Sequence, residues 1–148
     1  MHSFSHSYGD STYHLWWITK CRYKTLRKRG HKYICADALY QAAKRHRISI
    51  RSLAVEEDHV HTVASIPPSM SVSKAFQLLK GASSFVMFRA FPNLRKRYPC
   101  GSFWGQGGKF RSVGDIQMSE AINYVNSKSQ TTLLSYVPEF PGLQSGVA

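Results

Sequence analysis

Residues 48–66 read ISIRSLAVEEDHVHTVASI, and this stretch decides the fold. Two apolar, β-branched runs, Ile48 to Glu57 and His59 to Ile66, meet at the acidic turn Glu56-Glu57-Asp58. That pattern predicts a β-hairpin. In the second run Val60, Thr62, Ala64 and Ile66 alternate with His59 and His61. A strand therefore turns the first set toward a core and points both imidazoles out of the opposite face. In the first run the apolar set changes phase between Ile50 and Leu53, which predicts a bulge. Pro67-Pro68 ends the second strand.

The flanking sequence supplies the rest of a sheet and its helices. Thr12 to Cys21 carries Tyr13, Trp16, Trp17 and Ile18, apolar on both faces, and predicts a central strand. Cys35, Leu39, Ala42, Ala43 and His46 recur at helical spacing. A second helix is expected from Ser71 to Arg89, with Val72, Ala75, Phe76, Leu79, Ala82, Ser83 and Val86 on its buried side and Pro92 closing it. The Gly-rich stretch from Gly101 to Gly114 predicts a strand at Phe103-Trp104, a glycine turn, and a short strand from Lys109 to Val113. A third helix is expected from Ser119, a good N-cap, with Met118, Ala121, Ile122 and Val125 on its apolar side. The order β-α-β-β-α-β-(β)-α matches an α+β, ferredoxin-like split βαβ arrangement: one domain, an antiparallel sheet, and helices on one face. Residues 1–11 read as a loose leader, 12–130 as the domain, and 131–148, with Pro138 and Pro141, as an irregular tail.

The chain has 148 residues and 43% hydrophobic content, which suits one globular core and excludes a disordered tail. No apolar run approaches the roughly 18 residues of a membrane span, and the polar N-terminal stretch has no signal-peptide core. No membrane partner is expected, and the expected compartment is the cytoplasm. Cys21, Cys35 and Cys100 lack the C-x-x-C spacing of a zinc knuckle and read as reduced thiols. Twenty Lys+Arg against 8 Asp+Glu give a formal charge of +12, which favours a polyanionic partner, nucleic acid first. Arg22, Lys24, Lys80, Lys109 and Arg111 are the basic residues expected to contact DNA.

Two imidazoles on one strand face can hold a divalent cation if oxygen ligands join them. The same pair is also what two hydrogen-bonded surface histidines would look like. The neighbouring Glu56, Glu57 and Asp58 are the largest acidic concentration in a basic chain, and would attract a cation. Tyr124 falls at the edge, not the centre, of the third helix's apolar stripe, at about 100° per residue. A helix tyrosine is often mere packing. At the edge, its hydroxyl can reach a site between helix and sheet. A phenol with a pKa of about 10 is a weak nucleophile until a metal polarises the phosphate it attacks. The tyrosine reading thus depends on the histidine reading.

Several stretches together carry a family resemblance: Tyr13-His14-Leu15-Trp16, Lys20-Cys21-Arg22-Tyr23, Glu57-Asp58-His59-Val60-His61, and Leu78-Leu79-Lys80-Gly81-Ala82-Ser83. Phe103-Trp104, Phe110-Arg111-Ser112-Val113-Gly114 and Ile122-Asn123-Tyr124-Val125 continue it in order. The chain resembles the single-tyrosine HUH transposases of small insertion sequences that move as single-stranded DNA. The resemblance implies a ferredoxin-like homodimer in which His59 and His61 bind Mg²⁺ or Mn²⁺. Tyr124 would attack a phosphodiester, link to the 5′-phosphate and free a 3′-OH, which later rejoins strands. It further implies single-stranded DNA with hairpins near the element's ends as partner, and a tyrosine helix able to serve its own or its partner's histidines. Trp16, Trp17, Phe103 and Trp104 would pack in the core, pair across the dimer or stack on bases.

One position departs from the family pattern. A third metal ligand, often Gln, is usual four residues after the tyrosine; here it is Lys128. A protonated Lys cannot coordinate a metal. Gln130, Asp58 or water is left to complete the shell, or Lys128 contacts phosphate, or the copy is catalytically impaired. Two other functions fit the same sheet. One is a non-catalytic nucleic-acid-binding module, although Lys109-Phe110-Arg111-Ser112-Val113 lacks the aromatic signature of RNA-recognition strands. The other is a related nickase that does not transpose.

Overall fold

The computed structural model describes residues 11–129. The proposed leader and tail, and Gln130 with them, lie outside the described residues, as does the side chain of Lys128. Strand β1 (Ser11–Ile18) leads through 3-10 turns at Lys20–Arg22 and Thr25–Arg27 into helix α1 (Arg29–Arg45). The hairpin β2 (Ser49–Val55) and β3 (His59–Ile66) follows, then α2 (Val72–Ala90). A 3-10 turn at Pro92–Lys96, edge strand β4 (Lys109–Ser112) and α3 (Asp115–Ser129) complete the described chain. The sheet order is β2-β3-β1-β4 with every pairing antiparallel, the ferredoxin-like order expected from the sequence.

The hairpin forms as its pattern dictates. Val60, Ala64 and Ile66 are buried against the main core. Thr62, on the same face, is buried with its hydroxyl donated to the Ser52 carbonyl. The expected irregularity is present as a register shift between Ile50 and Ser52. Leu15 and Trp17 of β1, Leu39 of α1 and Leu79 of α2 fill the same layer, each nearly inaccessible to solvent. Burying one such side chain is worth about 1.5–3 kcal/mol. Helix α2 begins where Ser71 accepts a hydrogen bond from the Lys74 amide at 3.0 Å. An N-cap of this kind contributes about 1 kcal/mol.

Two expectations change. Phe103-Trp104 does not make a strand; it forms a single bridge, Trp104 to Thr19, and is otherwise held by side chains. Ser84 Oγ accepts from the Phe103 amide at 3.1 Å and Ser83 Oγ from Trp104 Nε1 at 2.9 Å. Helix anchoring replaces a ladder there because the aromatic pair sinks into the core beside Trp17. The expected placement of helices on one face holds for α1 and α2. Helix α3, which starts at Asp115 and not near Ser119, lies over the opposite face, where Val125, Ala121 and Ile122 pack on Ala54 and Val63. All three cysteines are free thiols, Cys35 buried and the other two exposed.

Candidate functional site

The face under α3 collects the polar residues that the core face rejects. On β3, His59 and His61 project there by strand alternation. His61 pairs with Trp16 of β1 on one side and with Ala54 of β2 on the other. His14 lies diagonally, its ring 5.8 Å from that of His61. Because Val125 is buried on Ala54 and Val63, its neighbour Tyr124 is set over the same patch. The Tyr124 ring lies 5.7 Å from His61 and 6.1 Å from His14, and the side chain keeps 53% of its surface open. The tyrosine therefore meets the histidine pair of its own chain.

The turn below orients the histidines. Asp58 Oδ1 lies 2.8 Å from His59 Nδ1, and Oδ2 accepts from Arg22 Nε at 3.3 Å. Burial raises the Asp58 carboxyl, but the hydrogen bonds from His59 and Arg22 and their charge outweigh it and hold it below its ordinary range. An ionised carboxylate only accepts, so Nδ1 of His59 carries a proton, and Nε2 is the ring nitrogen left for a metal. Both Asp58 oxygens are thus engaged, one with His59 and the other with Arg22, which suits an orienting group. Arg22 reaches it because Cys21 and Arg22 take left-handed backbone angles, φ 55° and 52°. Thr19 locks that bend, its amide donating to the Asp58 carbonyl at 2.9 Å and its hydroxyl to the Tyr23 carbonyl at 2.7 Å.

Glu56 sits on the site face beside His59, whose carbonyl accepts from the Glu56 amide at 2.8 Å. Its Oε2 is buried, has no hydrogen-bond partner among the described residues, and lies 3.9 Å from His61 Nε2. No three His, Cys, Asp or Glu side chains among the described residues already converge on one point. The donor set nevertheless suits a hard divalent cation, with two imidazoles and a buried carboxylate oxygen that lacks a proton donor. The sequence marked Glu56 only as part of an acidic turn; the hairpin register singles it out. His14 was not singled out as a site residue either. Burial and the nearby Arg111 hold its imidazole below the usual pKa, so it is neutral at physiological pH.

His14, His59, His61 and Tyr124 open into a cleft of about 1350 Å³. Arg22, Lys109 and Arg111, three of the five basic residues singled out in the sequence, line it. Lys24 is exposed but lies off the cleft. Lys80 points elsewhere: its Nζ donates to the carbonyls of Gly105 and Gly107 at 2.8 and 2.6 Å. Trp16 lines the cleft, Trp17 belongs to the core and also borders the cleft, and Phe103 and Trp104 are core residues.

The chain thus carries a split-βαβ sheet with a tyrosine helix laid over its histidine face. Residues 7–128 match the family described as IS200-like transposases, and the chain belongs to that family. The ISDra2 transposase TnpA of Deinococcus radiodurans is 29% identical over 119 residues, covering 78% of this chain and 82% of that protein. The transposase of insertion sequence element IS200 from Salmonella typhimurium is 38% identical over 68 residues, 45% of each chain. Among solved structures, a transposase crystal structure from Deinococcus radiodurans R1 superposes with a TM-score of 0.66 at 26% identity, covering 86% of this chain and 98% of that one. A REP-associated tyrosine transposase bound to a REP hairpin shares the fold, with a TM-score of 0.60 at 10% identity, covering 83% of this chain and 68% of that one. The protein is a transposase, a DNA-cleaving enzyme. No helix among the described residues is long and apolar enough to cross a membrane.

Proposed function

We propose that this transposase cleaves and rejoins single-stranded DNA at the ends of a small insertion sequence through a 5′-phosphotyrosine link. The observation that carries the reading is Tyr124 standing over His61, at 5.7 Å between rings, in an open basic cleft. His59, His61 and Glu56 would hold Mg²⁺ or Mn²⁺, which would polarise the scissile phosphodiester and offset charge developing on it. Tyr124 Oη attacks phosphorus; the Oη–P bond forms and the P–O3′ bond breaks. The tyrosine gives up its proton and the departing 3′-oxygen takes one, leaving a 3′-OH. Neutral His14 beside Tyr124 suits the first proton transfer. The reverse attack by a 3′-OH rejoins strands with no ATP, because the bond energy stays in the phosphotyrosine. Asp58 keeps the His59 ring and its tautomer fixed throughout.

The DNA partner would be a hairpin flanked by single strand, as the REP-associated neighbour's hairpin complex suggests for a shared fold. The working unit would be a homodimer. Its support is the β4 edge, whose four residues are exposed and which presents Phe110 with 56% of its surface open. The cytoplasm is the matching compartment.

The test is a denaturing gel of the protein with labelled single-stranded oligonucleotides from the element's ends, with and without Mg²⁺ or Mn²⁺. A metal-dependent, detergent-stable adduct that Tyr124→Phe lacks is the expected result. An adduct that persists in Tyr124→Phe overturns the nucleophile, and one that forms in chelator overturns the metal.

A further inference from the structure

The loop between Trp104 and β4 is pinned from the α2 side. Lys80 Nζ holds the carbonyl oxygens of Gly105 and Gly107. A Cβ built on Gly108 would sit 2.6 Å from the Phe76 ring, which itself packs edge-on against Trp17 at 5.8 Å. Only glycine fits there, so the backbone lies directly on α2. The Gly105 amide is also used, donating to the Ile18 carbonyl at 2.9 Å.

The opposite side of this loop faces the cleft, where Gln106, Gly107 and Gly108 line the wall with His59, Tyr124 and Arg111. Every peptide described is trans. In a trans peptide the C=O and the following N–H point in opposite directions. Lys80 draws the Gly105 and Gly107 carbonyls toward α2, so the Gln106 and Gly108 amides are turned away from it. Among the described residues no acceptor takes either amide. Two amides turned away from Lys80 on a loop that lines the cleft, with the carbonyl ends of their dipoles held by an ammonium, are donors suited to an anion. Lys109 and Arg111 on the adjoining strand add positive charge on the same wall.

We propose that the Gln106 and Gly108 amides form a phosphate-binding subsite for the DNA strand, and that Lys80 is its positioning residue and not a DNA contact. The inference rests on the reading that single-stranded DNA occupies this cleft. Lys80 then acts on DNA at one remove, by fixing the direction of two peptide planes.

The experiment is a titration of the ¹⁵N-labelled full chain with a single-stranded oligonucleotide from the element's end, followed by amide spectra. The Gln106 and Gly108 amide protons are expected to move downfield on binding, as they do on gaining a phosphate acceptor. A methylphosphonate placed singly along the strand should abolish both shifts at one position. Lys80→Met should weaken binding about tenfold, the scale of one charge-assisted contact, while leaving the salt dependence of affinity unchanged. A fall of about one in that log–log slope would mean Lys80 touches phosphate itself, and overturns the proposal. So does DNA binding by the wild type without movement of either amide, which leaves the DNA reading intact. If the wild type binds no single-stranded DNA at all, that reading fails and the subsite falls with it. The wild-type titration decides the matter even if Lys80→Met does not fold.

Discussion

The two faces of the sheet are built for different purposes. Beneath α1 and α2, the core face is dry and aromatic: Leu15, Trp17, Val60, Ile66, Leu79 and Phe103 are all nearly inaccessible. Beneath α3, the apolar contact among the described side chains is Ala54, Val63 and Val125, with Ala121 and Ile122 partly buried around it. The rest of that face is His14, His59, His61 and the cleft. One side therefore holds the main core and the other the candidate site.

The sharpest break between the faces is Tyr124→Phe. It removes one oxygen from a side chain that is 53% exposed, so the melting temperature should hold while covalent DNA linkage disappears entirely. The adduct gel and a thermal melt on the same preparation check both halves. A large loss of melting temperature would mean that the Tyr124 hydroxyl is structural.

The converse substitution lies across the sheet. Leu79→Ala should cost about 3 kcal/mol of unfolding free energy, the usual penalty for an aliphatic truncation in a closed core. Val125→Ala, equally buried, should cost nearer 1–2 kcal/mol because it loses fewer carbons in a thinner layer (about 0.8 kcal/mol for each). It should nevertheless lower adduct yield more than Leu79→Ala does at a temperature where both are folded. Chemical denaturation with adduct yield as a parallel readout tests the contrast. Equal yields would show that α3 is held in place by more than this patch.

The core face was the more legible of the two, and the reason is periodicity. Val60-Thr62-Ala64-Ile66 and the Val72 to Val86 stripe each repeat at one fixed period, so hairpin and helix could be read from spacing alone. The same spacing set His59 and His61 on one side. What escaped depends on tertiary choice. Met118, Ala121, Ile122 and Val125 make an apolar stripe that either sheet face could accept, so α3 could not be assigned to the second face. Phe103-Trp104 has strand composition, but Ser83 and Ser84 of α2 take its hydrogen bonds. Lys80 reads in the sequence as one more basic residue expected on DNA; its bonds to the Gly105 and Gly107 carbonyls are visible only in the fold. Glu56 and Asp58 are indistinguishable as acidic residues of one turn; only register shows one beside His61 and the other tied to His59 and Arg22.

That last distinction gives a smaller but cleaner effect. Glu56→Gln keeps the shape and removes the anionic oxygen nearest His61. Mn²⁺ affinity, read by titration calorimetry without DNA, should fall about tenfold or more. Asp58→Asn acts through the His59 tautomer, so it should lower affinity less. If Asp58→Asn weakens Mn²⁺ binding more than Glu56→Gln, the assignments of ligand and orienting group are reversed.

The finest division lies within the basic residues. Arg111 projects from β4 into the cleft beside His14, while Lys24 is exposed outside it. Phosphate neutralisation releases counterions, so each lysine or arginine on the strand contributes about one to the log–log salt slope of binding. Arg111→Ala should remove close to that amount. Lys24→Ala should remove almost none and keep affinity within about twofold, the usual reach of a remote surface charge. Fluorescence anisotropy across a salt series measures both slopes on one labelled single strand. Equal losses would extend the DNA track beyond the cleft, along the basic loop after β1, and would end the confinement of DNA contacts to the α3 face.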